Sequence, residues 1–179
     1  MLYDSAIDEE LAQMDQDSET SKRVLQMSEI HVPLRQLMRD CVTINIAAST
    51  QDAIDLLIEN HIGAASVVED GILRGIFGER DVLRKILNKD VGDLTQIPVT
   101  QFMKVDPQTA NPDDTLDTAI LYMANGRFRH LPIADENQHP IGMVSIRDVI
   151  SYLVDYFPHE VLTLPPNPIR DALKAREGA

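Results

Sequence analysis

The chain has 179 residues, of which 44% are hydrophobic and 4% aromatic, with no Trp, so its core must be built from Ile, Leu, Val, Ala and Met. Sixteen Lys+Arg face 29 Asp+Glu, a formal net charge of −13, which argues against a phosphate-reading nucleic-acid surface and against docking on an anionic membrane. Cys41 is the single cysteine; it excludes an intrachain disulfide and a multi-cysteine zinc site and reads as an inert thiol. No apolar run approaches the roughly 18 residues of a membrane span, and acidic Met1–Glu10 lacks the features of a secretory signal. A soluble, cytoplasmic protein is expected.

Residues 1–30 read as an acidic extension. Ile7, Leu11, Met14, Val24 and Leu25 are apolar points for a helix over Ile7–Met27, but Asp15–Ser21 is polar, which leaves a frayed helix and a partner-docking arm as alternatives. A unit over 31–89 follows. It begins with a short amphipathic helix at Val32–Met38 and an extended stretch at Val42–Ile46. Ser49 caps a helix reaching about Asn60, with Ala53, Leu56, Leu57 and Asn60 or His61 as its inward stripe. Ala64–Val68 and Ile72–Phe77 are strands joined by a turn at Glu69-Asp70-Gly71. Asp81–Leu87 is a closing helix with Val82, Leu83 and Ile86 on its apolar side.

A linker over 90–97 leads to a second unit, 98–158, in the same order. Met103 ends its first helix. Asp113 or Asp114 caps the long helix, whose stripe is Leu116, Ala119, Ile120 and Met123, with Gly126 as its stop. His130–Ala134 and Ile141–Ser145 are the paired strands, with the turn at Asp135–Pro140. Ile146–Tyr156 is the last helix, ended by Pro158. The extension 159–179 contains Pro-rich Val161–Pro168 and a short helix over Ile169–Arg176.

The two units are copies. Met38 recurs as Met103 after 65 residues, Ala53-Ile54 as Ala119-Ile120 after 66, and Gly75 and Arg80-Asp81-Val82 as Gly142 and Arg147-Asp148-Val149 after 67. The drift of two residues is what short loop insertions produce. Neither copy alone covers both faces of its small sheet, so the copies are expected to pack as a pseudo-twofold α+β pair with two related clefts.

The helix-strand-helix-strand-strand-helix order, the segment Arg129-His130-Leu131-Pro132-Ile133 and the segment Gly142-Met143-Val144-Ser145-Ile146-Arg147-Asp148 resemble the CBS-domain family in its tandem, or Bateman, arrangement, over about Val32–Phe157. The resemblance implies a stand-alone regulatory module that binds AMP, ADP or ATP between the repeats and requires no cofactor. It also implies homodimerisation and action on an unidentified protein target.

The residues themselves support nucleotide chemistry. Asp148, at a helix start, offers a carboxylate to ribose hydroxyls. Ser145 offers a hydroxyl, Gly142 close backbone approach, and Arg147 with the helix N-terminus a partner for phosphate. Equally, Asp148 reads as a helix-end acid, Ser145 as a cap and Arg147 as a surface charge. Arg129 and His130 are phosphate contacts by family analogy, and Arg127 adds to the basic cluster. Family analogy also places Thr43 and Thr109 beside the adenine, although both read as ordinary strand residues. In the first copy Asp81, Arg80 and Gly75 persist, but Gly78 replaces the hydroxyl, Glu79 adds negative charge, and His61–Ala65 carries no arginine. The Asp148 cleft is therefore expected to bind more tightly than the Asp81 cleft.

Catalytic readings find little support. His31, His61, His130, His139 and His159 lack metal-ligand spacing, and nucleophile-elbow, P-loop and dinucleotide patterns are absent. The expectation is a nucleotide sensor without catalytic or metal residues. A ligand-free structural or dimerisation module, or a sensor of S-adenosylmethionine or NAD, is the alternative.

Overall fold

The computed structural model describes residues His31–Tyr156. The readings placed on 1–30 and 157–179, including the Ile7–Met27 and Ile169–Arg176 helices and the stop at Pro158, lie outside these residues.

Strand β1 (Thr43–Asn45) runs parallel to β2 (Ala64–Glu69), which pairs antiparallel with β3 (Ile72–Gly78); β4 (Lys104–Val105) adds antiparallel to β3. In the second copy β5 (His130–Ala134) and β6 (Pro140–Ser145) form an antiparallel pair. There the counterpart of β1 shrinks to a single parallel bridge between Ala110 and Ile133. Asp70 and Gly71, with φ of 51° and 82°, make the left-handed two-residue turn joining β2 to β3.

Helix α1 (Thr50–Glu59) starts as expected. The Ser49 hydroxyl accepts from the Asp52 N–H at 3.1 Å, and the Asp52 carboxylate accepts from the Ser49 N–H at 3.0 Å. Its buried residues are Thr50, Ala53 and Leu57, while Asn60 and His61, one or the other of which is expected inward, are both exposed. Asn60 instead folds its amide onto the Leu56 carbonyl, and His61 takes a positive φ that ends the helix.

Three other boundaries differ from the sequence reading. The first helix of each copy is one 3-10 turn, Leu34–Gln36 and Val99–Gln101, each following a proline. The chain must leave the turn to pair with the other copy: Arg39 and Met143 exchange both backbone hydrogen bonds at 3.0 Å. The closing helix of the first copy begins at α2 (Glu79–Asp81) and widens into a π-helical stretch, Val82–Ile86. The wider turn buries Ile86 but leaves Leu83, expected inward, 60% exposed. Helix α3 (Leu116–Gly126) starts after Thr115, because Asp114 caps the preceding turn by accepting from the Asn111 N–H. Its left-handed end residue is Arg127, one beyond Gly126. Helix α4 (Ile146–Tyr156) lies where expected.

The two copies are stitched together by exchanged leading segments. Leu116 donates its N–H to the Val32 carbonyl, Leu34 donates to Asp114, and Val99 donates to Ala48. Phe102, Met103 and Val99 of the second copy therefore complete the first copy's core around Leu57, Val67 and Phe77. Val91, Leu94 and Ile97, in the segment expected as a linker, pack on the same core. Cys41 is half-buried and points its thiol at the Ser66 hydroxyl, 3.2 Å away; burial pushes its pKa up.

Candidate nucleotide clefts

Two cavities lie between the copies. One, of about 330 Å³, is lined by Gly78, Arg80 and Asp81 of the first copy and by Lys104, Gln108 and Phe128 of the second. The other, of about 260 Å³, is lined by Ser145, Arg147 and Asp148 of the second copy and by Arg39, Val42 and Ile62 of the first. Each cleft thus takes its aspartate from one copy and its opposite wall from the other, as the stitching requires.

In the smaller cleft Ser145 and Asp148 form the cap of α4. The Asp148 Oδ2 accepts from the Ser145 N–H at 2.9 Å and from its hydroxyl at 2.5 Å, and Oδ1 accepts from Arg39 Nε at 2.5 Å. Asp148 is 8% exposed. Burial pushes its pKa up, but the Ser145 hydrogen bonds and Arg39 outweigh burial and hold the carboxyl below its usual range. The Ser145 hydroxyl, read as a ligand contact, is thus engaged by Asp148.

In the larger cleft the Asp81 Oδ2 accepts only the Gly78 N–H at 3.1 Å, and Oδ1 pairs with Lys85 Nζ at 2.8 Å. Lys85 also donates to the Phe102 carbonyl at 2.5 Å, tying the closing helix to the second copy. Gly78 has its own reason: a β-carbon there would lie 2.7 Å from the Gly63 carbonyl oxygen. Arg80 reaches across to donate to the Arg127 carbonyl at 2.5 Å.

Arg129 and His130 line both cavities, so they form the wall between them. Gly63 opposite makes room, since a β-carbon on it would lie 2.9 Å from the His130 ring. Burial, and then the Arg129 charge, lower the His130 pKa, against the opposing pull of Glu79 and Asp148.

Several sequence assignments shift. Gly142 lines neither cavity; its missing side chain admits Met38 instead. Thr43 and Thr109 also line neither, because Val42 and Gln108 are the cleft-lining residues and the next position on extended chain faces the other way. Glu79, expected to burden the Asp81 cleft, lines the Asp148 cleft. The sequence reading missed Arg39, Arg84, Lys85 and Lys104. Arg39 and Lys104 carried a signal: each follows the repeated methionine, Met38 or Met103.

The architecture and the twin clefts define a tandem pair of repeats packed across a pseudo-twofold axis, and known proteins agree on the family. The CBS domain pattern matches residues 34–88 and 99–155, and the chain belongs to the CBS-domain family. It is 31% identical over 117 residues to the CBS domain-containing protein YhcV of Bacillus subtilis, covering 63% of this chain and 81% of that one. The crystal structure of the CBS-domain containing protein ATU1752 from Agrobacterium tumefaciens superposes with a TM-score of 0.61 at 31% identity, covering 68% of this chain and 98% of that one. The CBS domain protein PAE2072 from Pyrobaculum aerophilum, complexed with AMP, shares the fold, with a TM-score of 0.61 at 22% identity over 69% of this chain and 99% of that one. Among the described residues no helix is long and apolar enough to cross a membrane.

Proposed function

We propose that the chain is a regulatory, non-catalytic module whose clefts bind adenosine nucleotides (AMP, ADP or ATP), and that occupancy alters its hold on a protein target. The observation that carries this reading is the repeated construction of the clefts. Asp81 and Asp148 stand at pseudo-equivalent helix starts, each in a cavity that the other copy also lines with positive charge, Lys104, Arg127 and Arg129 in the first case and Arg39 in the second. An acceptor for ribose and donors for phosphate then sit on opposite walls of one cavity. The AMP bound by the Pyrobaculum protein of the same fold is consistent with this. On this reading the module works in the cytoplasm as a homodimer, and exposed apolar side chains on its helices, among them Leu121 and Ile150, support the self-association.

Calorimetry on the full chain with AMP, ADP, ATP, NAD and S-adenosylmethionine tests the reading. Micromolar binding of an adenine nucleotide is expected; binding of none sinks it, and preference for S-adenosylmethionine or NAD redirects it. A second reading, a ligand-free dimerisation module, is favoured by one observation: Ser145 and Arg39 already occupy both oxygens of Asp148.

A further inference from the structure

The two cavities divide their charge unevenly. Six of the chain's 16 basic residues line the Asp81 cleft, namely Arg80, Arg84, Lys85, Lys104, Arg127 and Arg129, and among the described residues the only carboxylate that lines it is that of Asp81. The Asp148 cleft is balanced, with Arg39, Arg129 and Arg147 against Asp40, Glu79 and Asp148. We propose that the Asp81 cleft is the seat of a polyphosphate chain, that of a nucleoside di- or triphosphate, while the Asp148 cleft takes a ligand with one phosphate or none. The assignment rests on the adenosine-nucleotide reading and deepens it.

Lys85 and Arg80 are committed to the frame, through Asp81 and the Phe102 carbonyl in one case and the Arg127 carbonyl in the other. Arg84, Lys104, Arg127 and Arg129 pair with no carboxylate among the described residues. Cations gathered in one cavity repel one another, and a chain of phosphates relieves that repulsion more fully than a single phosphate does. Lys104 is further placed by the Phe128 ring, 5.7 Å from its ammonium. The missing hydroxyl at Gly78 leaves Asp81 without the second bond that Asp148 receives. Its side chain is 20% exposed against 7% for Asp148, which leaves it open to ribose. The cleft that looks weaker by hydroxyl count is thus the stronger by charge.

The test is calorimetry on the full chain, without divalent cations and across a salt series, using ATP, AMP and inorganic tripolyphosphate. It compares the parent with R84Q/K104Q, which touches only the Asp81 cleft, and with R147Q, which touches only the other. The parent should bind ATP at one site at least tenfold more tightly than AMP there, with tripolyphosphate competing for that site. R84Q/K104Q should lose about tenfold or more in ATP affinity and flatten its salt dependence, while R147Q leaves ATP binding within about twofold. ATP affinity unchanged in R84Q/K104Q, or lost in R147Q, overturns the assignment. Should no nucleotide bind, the adenosine reading fails separately; tripolyphosphate binding abolished in R84Q/K104Q would still support the polyanion seat, and its absence from the parent would overturn it. If R84Q/K104Q melts early, R84Q alone decides, since Arg84 lines only the Asp81 cleft and holds no part of the frame: ATP affinity lowered severalfold supports the seat, and unchanged affinity refutes it.

Discussion

Met38 of the first copy closes over Gly142 of the second: a β-carbon on Gly142 would lie 2.8 Å from the Met38 sulfur and 3.1 Å from its Cβ. The same pairing recurs with the copies exchanged, where a β-carbon on Gly75 would lie 2.5 Å from the Met103 sulfur and 3.0 Å from the Lys104 carbonyl oxygen. The repeated methionines and glycines are thus partners across the pseudo-twofold axis. They set how closely the leading segment of one copy approaches the sheet of the other.

Gly142→Ala should therefore destabilise the fold through crowding. The Met38 sulfur can swing aside but its Cβ moves only with its segment, and crowding of this kind typically costs about 1–3 kcal/mol. Urea unfolding should show a lowered midpoint. A variant as stable as the parent would mean that the Met38 segment shifts freely, and the paired packing would lose its structural role.

Asp148→Ala leaves Ser145 as the cap of α4 but removes the carboxylate that accepts from Ser145 and Arg39, and should cost about 1.5–3 kcal/mol, as the loss of hydrogen bonds to a charged group does. The acid side is the sharper probe. Because the folded carboxyl titrates below its usual range, its contribution is present above the unfolded value of about 3.9 and is lost as pH falls through the folded value. Asp148→Asn should flatten the stability profile in that window. A profile identical to the parent's would show that the Arg39 and Ser145 bonds contribute nothing to the fold. If the adenosine-nucleotide reading holds, both variants should also bind nucleotide in this cleft at least tenfold more weakly.

His130 stands in the wall shared by the clefts, with Arg129, Arg147, Glu79 and Asp148 acting on its charge. Its folded pKa is lowered, so its contribution to stability is present above the unfolded value of about 6.5 and is lost as pH falls through the folded value. A phosphate beside the ring would pull that pKa back up, so nucleotide binding should take up protons just below neutrality. Calorimetry in buffers of different ionisation enthalpy should detect the uptake, and His130→Gln should abolish it. Uptake that persists in His130→Gln would assign the proton to another group.

If the chain is a homodimer through its helical faces, Ile150→Glu should yield a monomer. Ile150 is 54% exposed, so the change leaves the core of the protomer untouched. Light scattering at high micromolar concentration checks it. A parent that is already monomeric would dismiss the dimer, and a dimeric variant would move the interface away from Ile150.

Local chemistry and repetition were enough to read the order of elements, the Ser49 cap, the Asp70-Gly71 turn, the strand pairs and the kinship of the two copies. Each of these depends on residues close together in the chain, or on one pattern occurring twice. The make-up of the clefts depends on neither. Arg39 meets Asp148 from 109 residues away, Arg127 lines the cavity of Asp81 and not that of Asp148, and Arg129 lines both. Gly142 carries the motif of a ligand contact yet faces Met38, and Glu79 lies on the far side of the wall from where its neighbours Arg80 and Asp81 stand. Two sheets that cannot cover their own faces must exchange leading segments. That exchange, which no short-range pattern encodes, decides which charges share a cavity.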